Sequence, residues 1–187
     1  MLNREGMPTT LVRAGRDYYP FLGSDEQWAR KYSVELGYVK HTEIPRVLSL
    51  ADVLIQPGMD GPFNECRFPS KLPEFFAMGR PIILPHTNVG RFVEHGEHAW
   101  VLPKVDALSI VETLQRFRQD EAIVIRLGQG AQRFYEEHFH WEGSGRKLEQ
   151  FYYQVLRHEL GANGAHGPPL PHAGESTPSF LVSHQSS

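Results

Sequence analysis

Two charged residues three positions apart, Lys71 and Glu74, are the pair in this chain best suited to bind a charged ligand. Residues at this spacing lie on neighbouring positions of a helix, so both side chains would project from one side of a helix predicted at residues 70–78. An ammonium group neutralises phosphate charge, and a carboxylate accepts hydrogen bonds from two sugar hydroxyls. The same spacing fits a solvent-exposed ion pair worth roughly a few tenths of a kcal/mol. The residues alone leave both interpretations open.

Two prolines determine where this helix begins. Proline costs about 3 kcal/mol inside a helix but is tolerated in the first turn, where backbone N–H groups have no helical partner. Pro73 must therefore lie in the first turn, which places the start near Pro69 or Ser70. The free N–H groups around residues 70–72 can bind an anion. Leu72, Phe75 and Phe76 form the opposite stripe and are predicted to face the core.

The elements that would position this helix alternate between strands and helices, a pattern typical of βαβ units and a parallel sheet. Apolar runs predict strands at residues 10–14, 33–39, 51–56, 81–84 and 100–102. Helices are predicted at residues 24–32, 42–50, 70–78, from Asp120 to His138, and at 141–160, with one more that begins after Asp106. Thr42 and Asp106 are the predicted N-caps of their helices, and Gly79 ends the helix at residues 70–78. We therefore predict an α/β fold, a Rossmann-like parallel sheet of about five or six strands flanked by helices, over residues 1–160. Residues 161–187, rich in Gly, Pro, His and Ser, are predicted to be a disordered tail.

Composition excludes several classes of function. The net charge of −3 gives no general attraction to nucleic acid. The single cysteine, Cys66, permits no internal disulfide and fits a reducing compartment. No apolar run approaches the roughly 20 residues that span a bilayer. We expect a cytoplasmic protein without a transmembrane segment, for which peripheral membrane association stays open.

Residues 68–85, FPSKLPEFFAMGRPIILP, resemble the nucleotide-sugar signature of the GT-B glycosyltransferases, group 1 (family 4). The resemblance continues on both sides of this segment. Residues 44–57 are similar to the family's helix–strand run that ends in Ala-Asp-Val and Pro, and residues 90–102 resemble the loop and strand after the signature. Phe139-His-Trp141 resembles the Phe-Ser-Trp that begins the family's last helix. The motifs occur in the family's order over roughly residues 10–160, which identifies the chain as the C-terminal, donor-binding half of the GT-B fold.

The resemblance implies retaining transfer of a sugar from a nucleoside-diphosphate donor, with no catalytic metal and no cofactor besides that substrate. Glu74 matches the second glutamate of the family's E-x7-E motif, which contacts the donor ribose. The first glutamate of that motif falls on Cys66, so we take Asn64 and Glu65 as candidates for binding the donor sugar. The residues that match the diphosphate-binding helix start are Pro69, Ser70, Lys71 and Leu72. No catalytic residue is assigned.

In two-domain relatives an acceptor-binding domain precedes this one, so the chain is expected to need such a domain or subunit as a partner for activity. Two alternatives stay open: a non-catalytic truncated remnant or interaction module, and a fragment of a GT-B nucleotide-sugar epimerase. The sequence identifies neither the base, the sugar nor the acceptor. Without a partner surface, the last helix is expected to expose an apolar patch formed by Phe151, Tyr152, Val155 and Leu156.

Overall fold

The computed structural model describes residues 1–15, 30–58 and 61–162 of the 187-residue chain, excluding the side chains of residues 158–162. The chain divides into two compact units, Met1–Ser144 and Gly145–Ser187. The helix predicted at residues 24–32 lies outside the described residues up to residue 29, and the predicted tail lies outside them beyond residue 162.

Among the described residues of the first unit, five short strands form two separate parallel sheets. Strand β1 (Leu11–Arg13) pairs with β2 (Ser33–Glu35), with Leu11 opposite Ser33. Strands β3 (Leu54–Ile55), β4 (Ile82–Pro85) and β5 (Trp100–Leu102) form the second sheet in the order β3-β4-β5. Every pairing is parallel, which confirms the predicted α/β class.

The described residues place their five strands in two parallel sheets, of two and three strands, where the sequence predicted a single sheet. Parallel strands are stable when both faces of the sheet are covered. Strand β4 meets that condition, since all four of its residues are buried. The smaller sheet does not, because Leu11 is 54% exposed and Val34 46% exposed. In addition, β3 has only two residues, and among the described strands it pairs with β4 alone.

The described part of the chain contains six α-helices: α1 (Ile44–Ser49), α2 (Pro62–Cys66), α3 (Leu72–Ala77), α4 (Ala107–Gln119), α5 (Glu121–His138) and α6 (Trp141–Ala162). The cap predicted at Thr42 is wrong, because a 3-10 helix, His41–Glu43, comes before α1 and no side chain caps it. The caps of α4 and α5 are confirmed. Asp106 accepts a hydrogen bond from the Ser109 N–H at 2.9 Å, and Asp120 accepts one from the Ala122 N–H at 3.0 Å.

Helix α3 is held against the core by the apolar stripe predicted from its sequence. Leu72, Phe75 and Phe76 are 2%, 8% and 0% exposed, and the Phe76 ring lies 4.9 Å from that of Phe134 in α5. Gly79 follows α3 in the left-handed region, with φ of 60°, as its predicted role requires. A side chain at Gly128 of α5 would lie 2.5 Å from the Gly79 carbonyl oxygen, so α5 passes close to the end of α3. These contacts fix the position of α3 at the sheet.

The part of the second unit that the structure describes consists of the later turns of α6. The expected exposure of its apolar face is confirmed: Phe151, Tyr152, Val155 and Leu156 are between 42% and 58% exposed. No helix among the described residues has both the length and the apolar character needed to cross a membrane.

Candidate functional site

Three segments meet at the carboxyl ends of β3 and β4, where open α/β sheets bind ligands. They are α2 after β3, the start of α3, and a 3-10 helix, Asn88–Arg91, after β4. A narrow cavity of about 20 Å³ lies among them, with room for roughly one water molecule. Its lining includes Gln56, Asn64, Pro69, Leu72, Thr87 and Asn88.

Two backbone N–H groups at the start of α3 are available to bind an anion. The helix begins at Leu72, later than predicted, and Pro73 lies in its first turn as predicted. The Leu72 N–H donates to the Pro69 carbonyl oxygen at 3.0 Å, and Pro69 has no N–H. Within the described residues, the N–H groups of Ser70 and Lys71 make no hydrogen bond. Of the four residues expected to bind phosphate, these two therefore carry the available backbone donors.

The Lys71 ammonium lies beside an aromatic ring and carries its charge without a carboxylate partner in the described part of the chain. Its Nζ is 5.5 Å from the centroid of the Phe75 ring. Burial lowers the pKa of Lys71, and the nearby Arg67 guanidinium lowers it further. The residue still keeps contact with solvent, so a ligand can reach it. The Lys71–Glu74 ion pair that the spacing permits is not formed.

The Glu74 carboxylate contacts a histidine instead. Its Oε1 lies 3.5 Å from Nε2 of His41, whose side chain is 92% exposed. Solvent weakens such a pair, so it contributes little to stability. With 40% of its own side chain exposed, Glu74 presents oxygen atoms from the first turn of α3, three residues after Lys71.

The two candidates for binding the donor sugar lie in α2, a helix that the sequence did not predict. Asn64 lines the cavity. Glu65 binds the segment after β4: its Oε1 is 2.7 Å from Nη2 of Arg91, and its backbone oxygen accepts a hydrogen bond from Nδ2 of Asn88 at 3.0 Å. Cys66, at the position of the missing glutamate, is exposed.

Sequence reasoning also missed Gln56, the residue that follows β3. Its Nε2 donates to the Pro57 carbonyl oxygen at 2.8 Å, whereas its Oε1 is buried and has no hydrogen-bond partner in the part of the chain that the structure describes. A buried acceptor without a partner is costly, and the adjoining cavity has room for one donor group such as water. A polar residue directly after a buried strand, before Pro57-Gly58, was the available signal.

Comparison with known proteins identifies the family of this chain. Residues 3–120 match the family model described as "Glycosyl transferases group 1". The chain is 27% identical over 117 residues to the amylovoran biosynthesis glycosyltransferase AmsK of Erwinia amylovora, covering 62% of this chain and 29% of that protein. The chain thus spans less than a third of that relative's length.

Solved structures show the same fold. The chain aligns with Anabaena Alr3699/HepE, solved with UDP-glucose, at a TM-score of 0.62 and 13% identity, over 78% of this chain and 41% of that one. It also aligns with the C-terminal domain of a group 1 glycosyl transferase, LpcC of Francisella tularensis, at a TM-score of 0.55 and 12% identity, over 74% of this chain and 91% of that one. The chain has the α/β fold of the GT-B glycosyltransferases. The chain belongs to the group 1 glycosyl transferases.

Proposed function

We propose that this chain is the donor-binding domain of a glycosyltransferase, which binds a nucleoside-diphosphate sugar for retaining transfer without a catalytic metal. A separate acceptor-binding domain or subunit would complete the active site. The observation that carries the proposal is the start of α3. Two N–H groups and an ammonium that have no partner or carboxylate among the described residues lie there within five residues of an exposed carboxylate. The solved complex of HepE with UDP-glucose, which has the same fold, supports this choice of ligand class.

Each part of the donor has a proposed position. The diphosphate binds at the turn formed by Pro69 to Leu72, where Ser70 and Lys71 supply N–H groups and the Lys71 ammonium supplies charge. The ribose hydroxyls donate to the Glu74 carboxylate. The transferred sugar binds near Asn64 and Glu65.

Calorimetric titration with UDP, GDP, ADP and UDP-glucose tests the proposal. Wild-type protein should bind at least one of them saturably, with affinity unchanged by EDTA because no metal takes part. Lys71→Met removes one charge-assisted contact worth about 1.5–3 kcal/mol, and since Lys71 is partly solvated we expect the low end, roughly a tenfold weakening. Lys104→Met is the matched control, because Lys104 pairs with Asp106 at the start of α4 and should not affect affinity. Absence of binding at millimolar ligand would refute the proposal.

The exposed face of α6 favours a second candidate, an interaction module. Phe151 and Tyr152 are 56% and 58% exposed on a helix in which Leu148 is also 53% exposed. Exposed apolar patches of this kind mark contact surfaces. Sedimentation of the wild type and of Phe151→Ser separates the candidates: self-association that Phe151→Ser abolishes, in a chain that binds no nucleotide, favours the module.

A further inference from the structure

We propose that Glu65 does not contact the donor but positions α2, through Asn88 and Arg91, so that Asn64 is the residue of α2 that meets the transferred sugar. This inference rests on the proposed function and assigns different roles to two residues that the sequence left as equal candidates. It also names two residues, Asn88 and Arg91, that sequence reasoning did not select.

Glu65 receives two bonds from one short segment. Nη2 of Arg91 lies 2.7 Å from Oε1 of Glu65, and Nδ2 of Asn88 donates to the Glu65 carbonyl oxygen at 3.0 Å. One bond holds the side chain and the other holds the backbone. Because α2 follows β3 and the Asn88–Arg91 segment follows β4, the two bonds connect the loops of adjacent strands across the carboxyl edge of the sheet.

Asn88 has the backbone conformation and side-chain orientation that this role requires. Its φ of 48° is the only positive value of a non-glycine residue in the described part of the chain. Asparagine tolerates this region better than most residues, and such conformations persist where surrounding contacts hold them. Its Oδ1 accepts a hydrogen bond from the Val89 N–H at 3.0 Å, which turns Nδ2 toward Glu65.

Asn64, unlike Glu65, lies at the cavity. Successive residues of a helix point about 100° apart, so Asn64 and Glu65 point in different directions from α2. Asn64 lines the cavity together with Pro69 and Leu72 of the proposed phosphate turn, whereas Glu65 does not line it. An asparagine amide both donates and accepts, as a sugar hydroxyl requires.

Titrations with UDP and with UDP-glucose separate the two roles, because only the second ligand carries the sugar. Asn64→Ala should leave the dissociation constant of UDP unchanged and raise that of UDP-glucose about three- to tenfold, the range for one lost hydrogen bond. Arg91→Gln and Glu65→Gln should each weaken both ligands by the same factor. That factor should be roughly two to five, since the pair is partly exposed and such pairs contribute about 1 kcal/mol or less.

The charge-reversed double variant Glu65→Arg/Arg91→Glu is the control for a purely structural loss. It should restore both affinities to within about twofold of wild type, because a reversed pair can connect the same segments. A Glu65→Gln variant that weakens UDP-glucose alone, without rescue by the reversed pair, would show that Glu65 contacts the sugar and overturn the inference. Wild-type protein that binds neither ligand would instead refute the proposed function, and this assignment would fall with it.

Discussion

Replacing Gly130 with alanine should destabilise the first unit, because α5 touches a neighbouring backbone at this position. A Cβ atom at Gly130 would lie 1.9 Å from the Glu97 carbonyl oxygen, 2.7 Å from the Glu97 carbonyl carbon and 3.3 Å from Cα of His98. All three are backbone atoms and cannot rotate away. Helix α5 and residues 94–99 would have to separate by about 1.5 Å to reach ordinary van der Waals contact.

The size of the effect follows from what that separation disrupts. Overpacking of this kind costs about 1–3 kcal/mol, and the upper half applies because no side chain can yield. The Arg126 Nε donates to the Gly96 carbonyl oxygen at 2.9 Å, and Arg133 pairs with Glu97, but these partly exposed contacts add little. We expect a loss of about 2–3 kcal/mol, or roughly 5–10 °C in Tm.

Urea unfolding followed by circular dichroism measures the change, and Gly143→Ala provides the matched control. Gly143 also lies in a helix, but a Cβ atom there would meet nothing within 4 Å. Alanine favours helix more than glycine does, so Gly143→Ala should be neutral or more stable by up to about 0.5 kcal/mol. If Gly130→Ala unfolds at the same urea concentration as wild type, or if both variants shift equally, the close approach of α5 to Glu97 is refuted.

Three further predictions concern the start of α3 and a helix cap. Leu72→Ala should cost about 2–5 kcal/mol in urea unfolding, since Leu72 is 2% exposed in the core; a loss below about 1 kcal/mol would contradict its burial. UDP affinity should fall as pH rises through the Lys71 pKa, which burial and Arg67 hold below the usual lysine value, because only the protonated form attracts phosphate. Lys71→Arg should keep affinity constant over that range, and an identical pH profile in both proteins would count against a role for Lys71. The Ser109 N–H lowers the pKa of Asp106 in the folded state, so the stability that this contact adds is present at neutral pH and lost as pH falls through that pKa. Asp106→Asn should therefore flatten the loss of Tm in acid, whereas an unchanged acid slope would argue against the cap.

Local sequence patterns predicted the structural features that depend only on residues a few positions apart. The burial of Leu72, Phe75 and Phe76 follows from helical spacing, and Pro73 in the first turn follows from the missing N–H. The caps Asp106 and Asp120 act within three residues of themselves. The family motifs identified the fold from their order along the chain.

Contacts between segments that lie far apart in the sequence could not be predicted from local patterns. Helix α2 follows Gly61, begins with Pro62 and contains polar residues, a composition that suggests a loop. It is held by Asn88 and Arg91, which come more than twenty residues later. The division of the strands into two sheets depends on which edges meet and which faces are covered, not on the apolar content of any one strand.

The sequence by itself determined that this chain has an α/β fold with a charged helix start following a parallel strand. Helical and strand periodicity, proline stereochemistry and capping are short-range, so one chain segment is enough to establish them. The tertiary structure decided which polar groups are available to a ligand. The Leu72 N–H donates to the Pro69 carbonyl oxygen and Glu65 pairs with Arg91, whereas Lys71 has no carboxylate partner among the described residues. Availability depends on which segments meet at the sheet edge, and only the folded chain brings them together.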